Sequence, residues 1–385
     1  MLKPAYDGGS IVNLMSSIGA GLGDRPRYPP LAALEPREVA EARNVVLIVL
    51  DGLGDAYLAA QRPGGALMRH RRERMTTVFP STTASAITSF MTGLAPQQHA
   101  MTGWFVNLRE VGAVAAILPF RPRAGGNTFT HAGVDPRRVF DYSPLFERID
   151  RRSWIVTDER IVDSDYSATT SGPAERVAYS DLDECFARVR DLVRAGKGPR
   201  YVYVYWPRLD GLAHELGIAG PEAAAHLRDL DVAFERLVEE LRGTDTLVIV
   251  AADHGLIDTD PEHIVHLHDH PELDATLALP LCGEPRAAYC YVRSGAGERF
   301  EHYVERHLSH CCSLHRGADL IREGYYGRFE PHPRLHERVG DYVLLARERY
   351  VIKDRVLGED AFAQIGVHGG LSADELHVPL IVAHA

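Results

Sequence analysis

The chain has 385 residues, of which 45% are hydrophobic and 25% charged, so it has the composition of an ordinary globular protein with a large core. Its 42 basic and 53 acidic side chains give a net charge of −11. This balance argues against a binder of nucleic-acid polymers or anionic membranes, which present a basic surface. A small anionic substrate remains compatible, because bound metal ions reverse the local field.

The cysteines are few and scattered, without a C-x-x-C pair, which argues against a disulfide framework or a cysteine-rich zinc site. They stand at positions 185, 282, 290, 311 and 312. Reduced thiols predict a cytoplasmic protein. The N-terminal residues lack the apolar core of a signal peptide, and no apolar run reaches the length of a membrane span.

Short, unbroken apolar runs predict strands that are buried on both faces, as in a parallel sheet. These runs are Val45–Leu50, Tyr201–Trp206, Leu247–Ala252 and Val378–Ala383, with a weaker one at Trp154–Val156. Helical patterns separate them at Leu182–Ala195, Pro221–Arg242 and Arg299–Leu308. The alternation predicts an α/β layered fold with a mostly parallel central sheet and helices on both faces.

A run of hydroxyl side chains follows Pro80 and precedes an apolar-periodic segment. It predicts a helix from about Thr83 to Thr92 that ends at Gly93. A helix N-terminus binds phosphate well, because its backbone N–H groups are unpaired and its dipole end is positive. By themselves, these hydroxyls are equally compatible with ordinary helix caps.

Residues 285–350 differ from the rest, with alternating strand patterns around one helical segment. We expect a small α+β cap here, inserted into a core domain formed by residues 1–284 and 351–385. The insertion falls between candidate ligand residues, so the cap is expected to cover the same edge of the sheet.

Three of the predicted strands run into acidic residues at or just past their carboxyl ends, where ligands bind in open α/β sheets. These residues are Asp51, Asp210 and Asp253. Asp210 and His214 are four residues apart, which places them on one helical face. Aspartate, histidine and hydroxyl ligands suit zinc or manganese.

Together these segments resemble the alkaline phosphatase superfamily, in its type I phosphodiesterase/nucleotide pyrophosphatase branch. The matching pieces are VVLIVLDG, VFPSTTASAITSFMTGLAPQQH, DGLAH, AADHG and VHGG, in the family's order across residues 45–370. The resemblance implies two divalent metal ions. We expect zinc at both sites, with manganese as the alternative. One set of ligands would be Asp210, His214 and His368, and the other Asp51, Asp253 and His254 with the nucleophilic hydroxyl.

The family's motif puts the nucleophile at Thr83, with Thr82 as the alternative. Metal coordination activates an otherwise weak hydroxyl nucleophile, and two metals clamp the attacking and leaving oxygens. We therefore expect hydrolysis of phosphodiester or nucleotide pyrophosphate bonds through a phosphothreonine. The alternatives are a phosphonoacetate-type phosphonate hydrolase, a phosphomonoesterase, or a phosphate-binding protein without catalysis. A homodimer is compatible with the sequence.

One departure from the family pattern concerns the asparagine that contacts the phosphoryl oxygen. The first candidate, Asn107, lies slightly too far along the chain, so Trp104 or a backbone N–H is an alternative for lining the substrate site. A second open point is the histidine-rich stretch after Asp253. Its members, His263, His266, His268 and His270, fit a third metal site, substrate contacts or an exposed polar loop.

Overall fold

The computed structural model describes residues 1–196, 198–359 and 364–385. In these ranges the strands, in chain order, are β1 (Asn44–Leu50), β2 (Arg71–Thr76), β3 (Phe105–Leu108), β4 (Ala113–Ala116), β5 (Arg121–Pro122), β6 (Arg152–Asp158), β7 (Glu175–Tyr179), β8 (Arg200–Trp206), β9 (Thr246–Ala251), β10 (Ile257–Asp258), β11 (Ile264–His266), β12 (Cys282–Glu284), β13 (Ala287–Cys290), β14 (Cys312–Arg316), β15 (Tyr342–Ala346), β16 (Val351–Lys353), β17 (Gly366–Val367) and β18 (His377–His384).

The α-helices of the same ranges are α1 (Ile11–Gly21), α2 (Pro36–Glu41), α3 (Asp55–Gln61), α4 (Ala66–Arg69), α5 (Thr83–Thr92), α6 (Pro96–His99), α7 (Asp165–Thr170), α8 (Leu182–Arg194), α9 (Arg208–Leu216), α10 (Pro221–Glu240), α11 (Pro271–Asp274), α12 (Gly297–His307), α13 (Gly317–Arg322), α14 (Leu335–Val339) and α15 (Ala373–Leu376). None of these helices is both long and apolar enough to cross a membrane.

The central sheet has the strand order β2-β18-β9-β1-β8-β6-β7. Strand β1 pairs in parallel with β8 and β9, and β6 pairs in parallel with β7 and β8. Strand β18 runs antiparallel to both of its neighbours. Every residue of β1 and β9 is buried, which is why these strands read as continuous apolar runs. The predicted α/β fold with a mostly parallel sheet surrounded by helices is confirmed.

A second, antiparallel sheet has the strand order β14-β15-β13-β12-β3-β4-β5. Strands β13, β14 and β15 come from the predicted cap region, β12 lies just before it, and β3, β4 and β5 join the sheet from residues 105–122. Strands β12 and β3 connect the two parts through Gly283 and Phe105. The division of the chain at residues 285 and 350 stays a prediction, because strand pairing alone does not define a domain.

The predicted helix at Thr83 begins at that residue and ends at Thr92. Gly93 follows with a φ of 69°, a left-handed conformation that glycine adopts without steric cost. Helix α1, whose residues Ile11–Gly19 are all buried, packs against α5. This contact fixes the position of α5 below the carboxyl edge of the central sheet.

Candidate active site

The three predicted carboxylates lie together at the carboxyl edge of the central sheet. Asp51 follows β1, Asp253 follows β9, and Asp210 lies in the first turn of α9, directly after β8. Strands β8, β1 and β9 are parallel neighbours, so their carboxyl ends meet at one place. We call Asp51, Asp210 and Asp253 the acidic edge. All three side chains are buried, and the most exposed of them, that of Asp210, is 13% exposed.

Three histidines face the acidic edge in the same orientation. The Nδ1 atoms of His214, His254 and His368 lie 2.7, 3.1 and 3.1 Å from the carbonyl oxygens of Gly366, Gly255 and Ser81. A carbonyl only accepts, so each Nδ1 carries the donated hydrogen. In the neutral ring this tautomer leaves Nε2 with a free lone pair, which is the arrangement of histidine ligands in metal sites.

Each of these Nε2 atoms points at a carboxylate oxygen. His214 Nε2 lies 3.2 Å from Asp210 Oδ2, and His368 Nε2 lies 3.8 Å from Asp210 Oδ1. His254 Nε2 lies 3.3 Å from Asp51 Oδ1 and 3.4 Å from Asp253 Oδ2. A nitrogen lone pair and the carboxylate oxygen that it faces repel each other unless a cation or a proton lies between them.

Unpaired carboxylate oxygens at the acidic edge also indicate that these residues can bind a metal ion. Asp51 Oδ1, Asp210 Oδ1 and Asp253 Oδ2 are buried without a hydrogen-bond partner among the described residues. Burial of an unpaired carboxylate oxygen is costly, and bound cations remove that cost. The donor set of carboxylates and imidazoles suits a divalent ion.

Two groups of donor atoms within 4.8 Å of one another can each hold an ion: Asp210, His254 and His368, and Asp51, Asp253 and His254. His254 belongs to both, because its ring stacks on that of His368 at 3.8 Å between centroids. His214 adjoins the first group, with its ring 5.2 Å from that of His368. The six predicted carboxylate and imidazole ligands therefore lie together in the structure.

The protonation equilibria follow from the crowding of charge. Burial, and next the carboxylates of Asp253 and Asp210, raise the pKa of Asp51 well above its ordinary value. Burial likewise raises the pKa of Asp253. Burial alone would raise the pKa of Asp210 too, but His214 lies so close that this pKa falls below its ordinary value. Burial lowers the pKa of His368 well below its ordinary value, so its imidazole is neutral.

Thr83 is the first residue of α5 and faces the same site. Its Oγ1 lies 3.2 Å from His254 Nε2, the atom that also faces Asp51 and Asp253. The residue before it, Thr82, is the extended N-cap of the helix. The hydroxyl of Thr83 therefore stands both beside the metal-ligand candidates and at the positive end of a helix dipole.

Thr82 has a different environment from Thr83. Its hydroxyl is 1% exposed and donates a hydrogen bond of 2.7 Å to Glu284 Oε1. The same oxygen accepts a 2.6 Å bond from the backbone N–H of Trp104. Glu284 is fully buried, and burial raises its pKa to about 7. This carboxyl group thus joins the start of α5 to the segment that carries Trp104.

A cavity of about 620 Å³ opens from the acidic edge. Thr83, Asp51 and Asp210 line its inner end, and Trp104, which is 37% exposed, lines its wall. The other walls are mainly apolar and aromatic: Ile87, Met91, Leu118, Ile155, Ile161, Tyr166, Tyr203 and Tyr205. We call this space the catalytic cavity. Asn107 does not line it, and its side chain instead lies within hydrogen-bonding reach of the Tyr291 phenol.

Sequence reasoning did not find two residues of the site. Tyr205 donates a hydrogen bond to Asp51 Oδ2, and Glu284 holds Thr82 and Trp104. Tyr205 carried a weak signal, because it is a polar-tipped residue at the carboxyl end of a predicted strand. No sequence signal marked Glu284, because it lies in no recognisable motif and is 202 residues from Thr82 in the chain.

Comparison with known proteins agrees with this geometry. Residues 45–371 match the sequence profile of the type I phosphodiesterase/nucleotide pyrophosphatase family. No curated protein matches the chain in sequence.

Solved structures share the fold at low identity. Murine ectonucleotide pyrophosphatase/phosphodiesterase 5 superposes with a TM-score of 0.65 at 17% identity, over 87% of this chain and 87% of that one. An inactive variant of the murine protein in complex with AMP gives a TM-score of 0.64 at 17% identity, with 87% of each chain covered. Phosphonoacetate hydrolase from Sinorhizobium meliloti, in complex with phosphonoacetate, gives 0.65 at 17% identity, over 89% of this chain and 90% of that one.

The profile match spans most of the chain, and it contains the acidic edge, the histidines and Thr83. The chain belongs to the type I phosphodiesterase/nucleotide pyrophosphatase family and is a hydrolase.

Proposed function

We propose that this protein hydrolyses phosphodiester or nucleotide pyrophosphate bonds, with Thr83 as the nucleophile at a two-metal centre. The observation that carries the proposal is the position of Thr83 Oγ1, 3.2 Å from the His254 nitrogen that also faces Asp51 and Asp253. A hydroxyl at the start of a helix, next to unpaired carboxylate oxygens, is placed for attack on phosphorus.

The ligand sets we assign are Asp210, His214 and His368 for one ion, and Asp51, Asp253, His254 and Thr83 for the other. Divalent cations held there would activate the threonine hydroxyl and stabilise the charge that develops on the phosphoryl oxygens. Zinc is the ion we expect, with manganese as the alternative, because both accept mixed nitrogen and oxygen ligands.

The reaction we propose has two displacements. Thr83 Oγ1 forms a bond to phosphorus while the bond from phosphorus to the leaving oxygen breaks. Water then attacks the phosphothreonine, and the threonine hydroxyl is restored. The hydrogen bond from Thr82 to Glu284 supports Thr83 over Thr82 as the nucleophile, because the Thr82 oxygen is buried and already engaged. The murine relative in its inactive form carries a threonine-to-alanine substitution, which is consistent with a threonine nucleophile.

The shape of the catalytic cavity supports a diester or anhydride with a large organic group. Its volume of about 620 Å³ is that of a small-molecule site, and aromatic side chains such as Trp104 and Tyr166 offer flat apolar contacts. We assign Trp104 to the substrate wall. Asn107 does not line the catalytic cavity, so we propose Trp104 rather than Asn107 as the substrate contact.

A phosphonoacetate-type hydrolase is the second candidate, since a phosphonoacetate hydrolase shares the fold. Phosphonoacetate is far smaller than the catalytic cavity, so the cavity favours the diester or anhydride. A phosphomonoesterase is the weaker candidate, because recognition of a terminal phosphoryl group does not require these apolar walls.

The experiment that tests the proposal pairs metal analysis with a substrate panel. Elemental analysis of the purified protein is expected to give about two divalent ions per chain. The panel contains a chromogenic diester, a chromogenic monoester, nucleotide sugars, dinucleotides and phosphonoacetate. Faster turnover of the diester or of a nucleotide anhydride supports the proposal. Preference for the monoester or for phosphonoacetate would replace it with that activity.

The remaining expectations stay proposals. We expect a cytoplasmic enzyme, because all five cysteines are unpaired and buried. We expect a small phosphorus-containing anion as substrate rather than a nucleic-acid polymer, on the grounds of net charge. Assembly as a homodimer is the expectation to test by light scattering.

A further inference from the structure

Glu284 lines a second cavity and does not line the catalytic cavity. The second cavity has a volume of about 430 Å³, within the range of small-molecule sites. Glu284 lines this cavity while its Oε1 accepts the bonds from Thr82 and Trp104. The described linings of the two cavities have no residue in common. We call this space the lysine cavity.

Lys353, at the end of β16, lines this cavity and is only partly exposed. No described residue pairs with its ammonium group. Burial lowers the pKa of Lys353. A partly desolvated ammonium without a partner is unfavourable, and a bound anion would remove that cost.

The carboxylates nearest in sequence, Asp354 and Glu359, make their described ion pairs with Arg123 and not with Lys353. Asp354 pairs with Arg123 through Oδ1 at 2.6 Å and accepts the Leu281 N–H through Oδ2. Glu359 accepts from Arg123 with both oxygens, at 2.7 and 3.0 Å. Arg355, which also lines the cavity, donates to the carbonyl of Glu359, so among the described lysines and arginines of the lining Lys353 is the one whose charged group makes no hydrogen bond or ion pair.

The choice of a lysine is itself informative. The 42 basic residues include only three lysines, at positions 3, 197 and 353. Buried ion pairs in this protein use arginine, as in Arg123–Asp354 and Arg286–Glu375. Lysine is a compact point charge rather than a planar fork, which suits an exchangeable ligand better than a fixed ion pair.

Two residues of the histidine-rich stretch line the lysine cavity. His266 on β11 lies directly beside Lys353 in the parallel pairing with β16, and both line the cavity. His268 also lines it, with its ring 5.1 Å from that of His266. Among the described residues these histidines belong to neither group of metal donors. His263 and His270 face elsewhere, toward Asp260 and Tyr303.

The apolar wall of the cavity consists of Phe105, Ile264, Leu281 and Ile352, and polar side chains that include Arg355, Gln364 and the ion-paired Arg123, Asp354 and Glu359 line it elsewhere. We propose that the lysine cavity binds a small organic anion, whose carboxylate or phosphoryl group pairs with Lys353 and His266 and whose body packs on this apolar wall. The site is distinct from the catalytic cavity, so the proposal does not depend on the reaction assigned above.

The scarcity of lysine makes a direct test feasible. The metal-loaded protein is reductively methylated with ¹³C-formaldehyde and a borohydride reductant, which retains the charge and labels the lysines and the N-terminus. The resonance that is absent in Lys353→Arg is assigned to Lys353. The probes are benzoate, phenylphosphonate and, as a neutral analogue, benzyl alcohol. We expect benzoate or phenylphosphonate to displace the Lys353 resonance saturably, while benzyl alcohol does not.

Calorimetry of unlabelled protein supplies the second readout. Lys353→Met is expected to weaken binding of the active probe by about tenfold or more. Lys3→Met is the matched control, because Lys3 is exposed and far in sequence from this wall, and it should bind as the wild type does. A response to benzoate identifies a carboxylate ligand, and a response to phenylphosphonate alone identifies a phosphoryl ligand. The proposal is overturned if no probe moves the resonance, if benzyl alcohol moves it equally, or if Lys353→Met binds the anions unchanged.

Discussion

Two buried clusters of charge in this protein differ in how their charges are balanced. The acidic edge holds three carboxylates, each with one oxygen that lacks a hydrogen-bond partner in the described part of the chain. The second cluster is the ion pair of Arg286 and Glu375, whose side chains are 1% and 0% exposed. Both are buried, yet only the first is left with unpaired charge.

The Arg286–Glu375 pair is satisfied from every side. The guanidinium donates to Glu375 Oε1 and Oε2 at 3.1 and 2.9 Å, and to the carbonyl of Tyr350 at 2.6 Å. Glu375 Oε1 also accepts the Gly370 N–H at 2.8 Å. This pair connects the turn between β12 and β13 of the second sheet to helix α15, which directly precedes β18, so its role is structural.

The difference shows which buried charges indicate function. Burial perturbs the pKa of a carboxyl group in both clusters, so a shifted pKa alone does not separate them. The separating feature is the unpaired oxygen, which a structural ion pair does not leave and a metal site requires. The following experiments test this distinction, from the largest expected effect to the smallest.

Thr83→Ala should lower turnover by about 10³-fold or more, because the nucleophile is lost. Metal content should stay unchanged, since carboxylates and imidazoles provide most of the ligands. Steady-state rates and elemental analysis measure the two effects. Thr83→Ser, which keeps the hydroxyl, is the control and should retain part of the activity. Retained turnover in Thr83→Ala, with loss in Thr82→Ala, would move the nucleophile to Thr82.

Glu375→Gln should destabilise the fold by about 3–5 kcal/mol, because it leaves the Arg286 guanidinium buried without its counter-charge. The loss is expected with and without metal. Urea unfolding monitored by circular dichroism gives the free energy of unfolding. Glu175→Gln is the matched control: its pair with Arg152 is exposed, so the cost should stay below about 1 kcal/mol. Equal effects of the two substitutions would contradict a structural role for the buried pair.

Asp253→Asn should act with opposite signs on two properties. Activity and bound metal should fall, the rate by about 10²-fold or more, because a ligand charge is removed. The metal-free protein should become more stable by about 1 kcal/mol, since one of the crowded, unpaired carboxylates is neutralised. Unfolding after chelator treatment measures the second effect. The exposed Asp229→Asn should change neither property. A metal-free Asp253→Asn protein less stable than the wild type would show that the acidic edge is a structural cluster.

The pH dependence of the buried ion pair gives the smallest effect. Burial opposes ionisation of Glu375, but Arg286 outweighs it and holds the pKa of Glu375 below its ordinary value. The unfolded chain therefore binds the proton first as the pH falls. The stability from the pair should be complete above about pH 4.3, the pKa of an unfolded glutamate, and should be lost as the pH falls through the lower folded value.

The measurement is the difference in unfolding free energy between wild type and Glu375→Gln from pH 7 to pH 3. Contributions of the acidic edge are present in both proteins and cancel in this difference. A difference that is constant over the whole range would contradict the lowered pKa of Glu375.

Much of the fold was predictable, because it depends on local patterns. The apolar runs around β1, β8 and β9 require cover on both faces, and that requirement defines a parallel sheet. The helix at Thr83 begins and ends where the hydroxyl cap and Gly93 indicate. The pairing of β18 was not predictable, because its direction depends on where the chain returns, and it runs antiparallel to β9.

The sequence by itself determined the chemistry available at the acidic edge, since each carboxylate lies within four residues of the carboxyl end of a strand and each histidine stands in a short motif. Only the tertiary structure decided how these groups are arranged. The carbonyls that select the tautomers of His214 and His368, the carboxyl of Glu284 on Thr82, and most of the wall around Lys353 come from segments distant in the chain. Such contacts leave no local pattern, because the two partners are subject to separate local constraints and meet only when the sheets pack together.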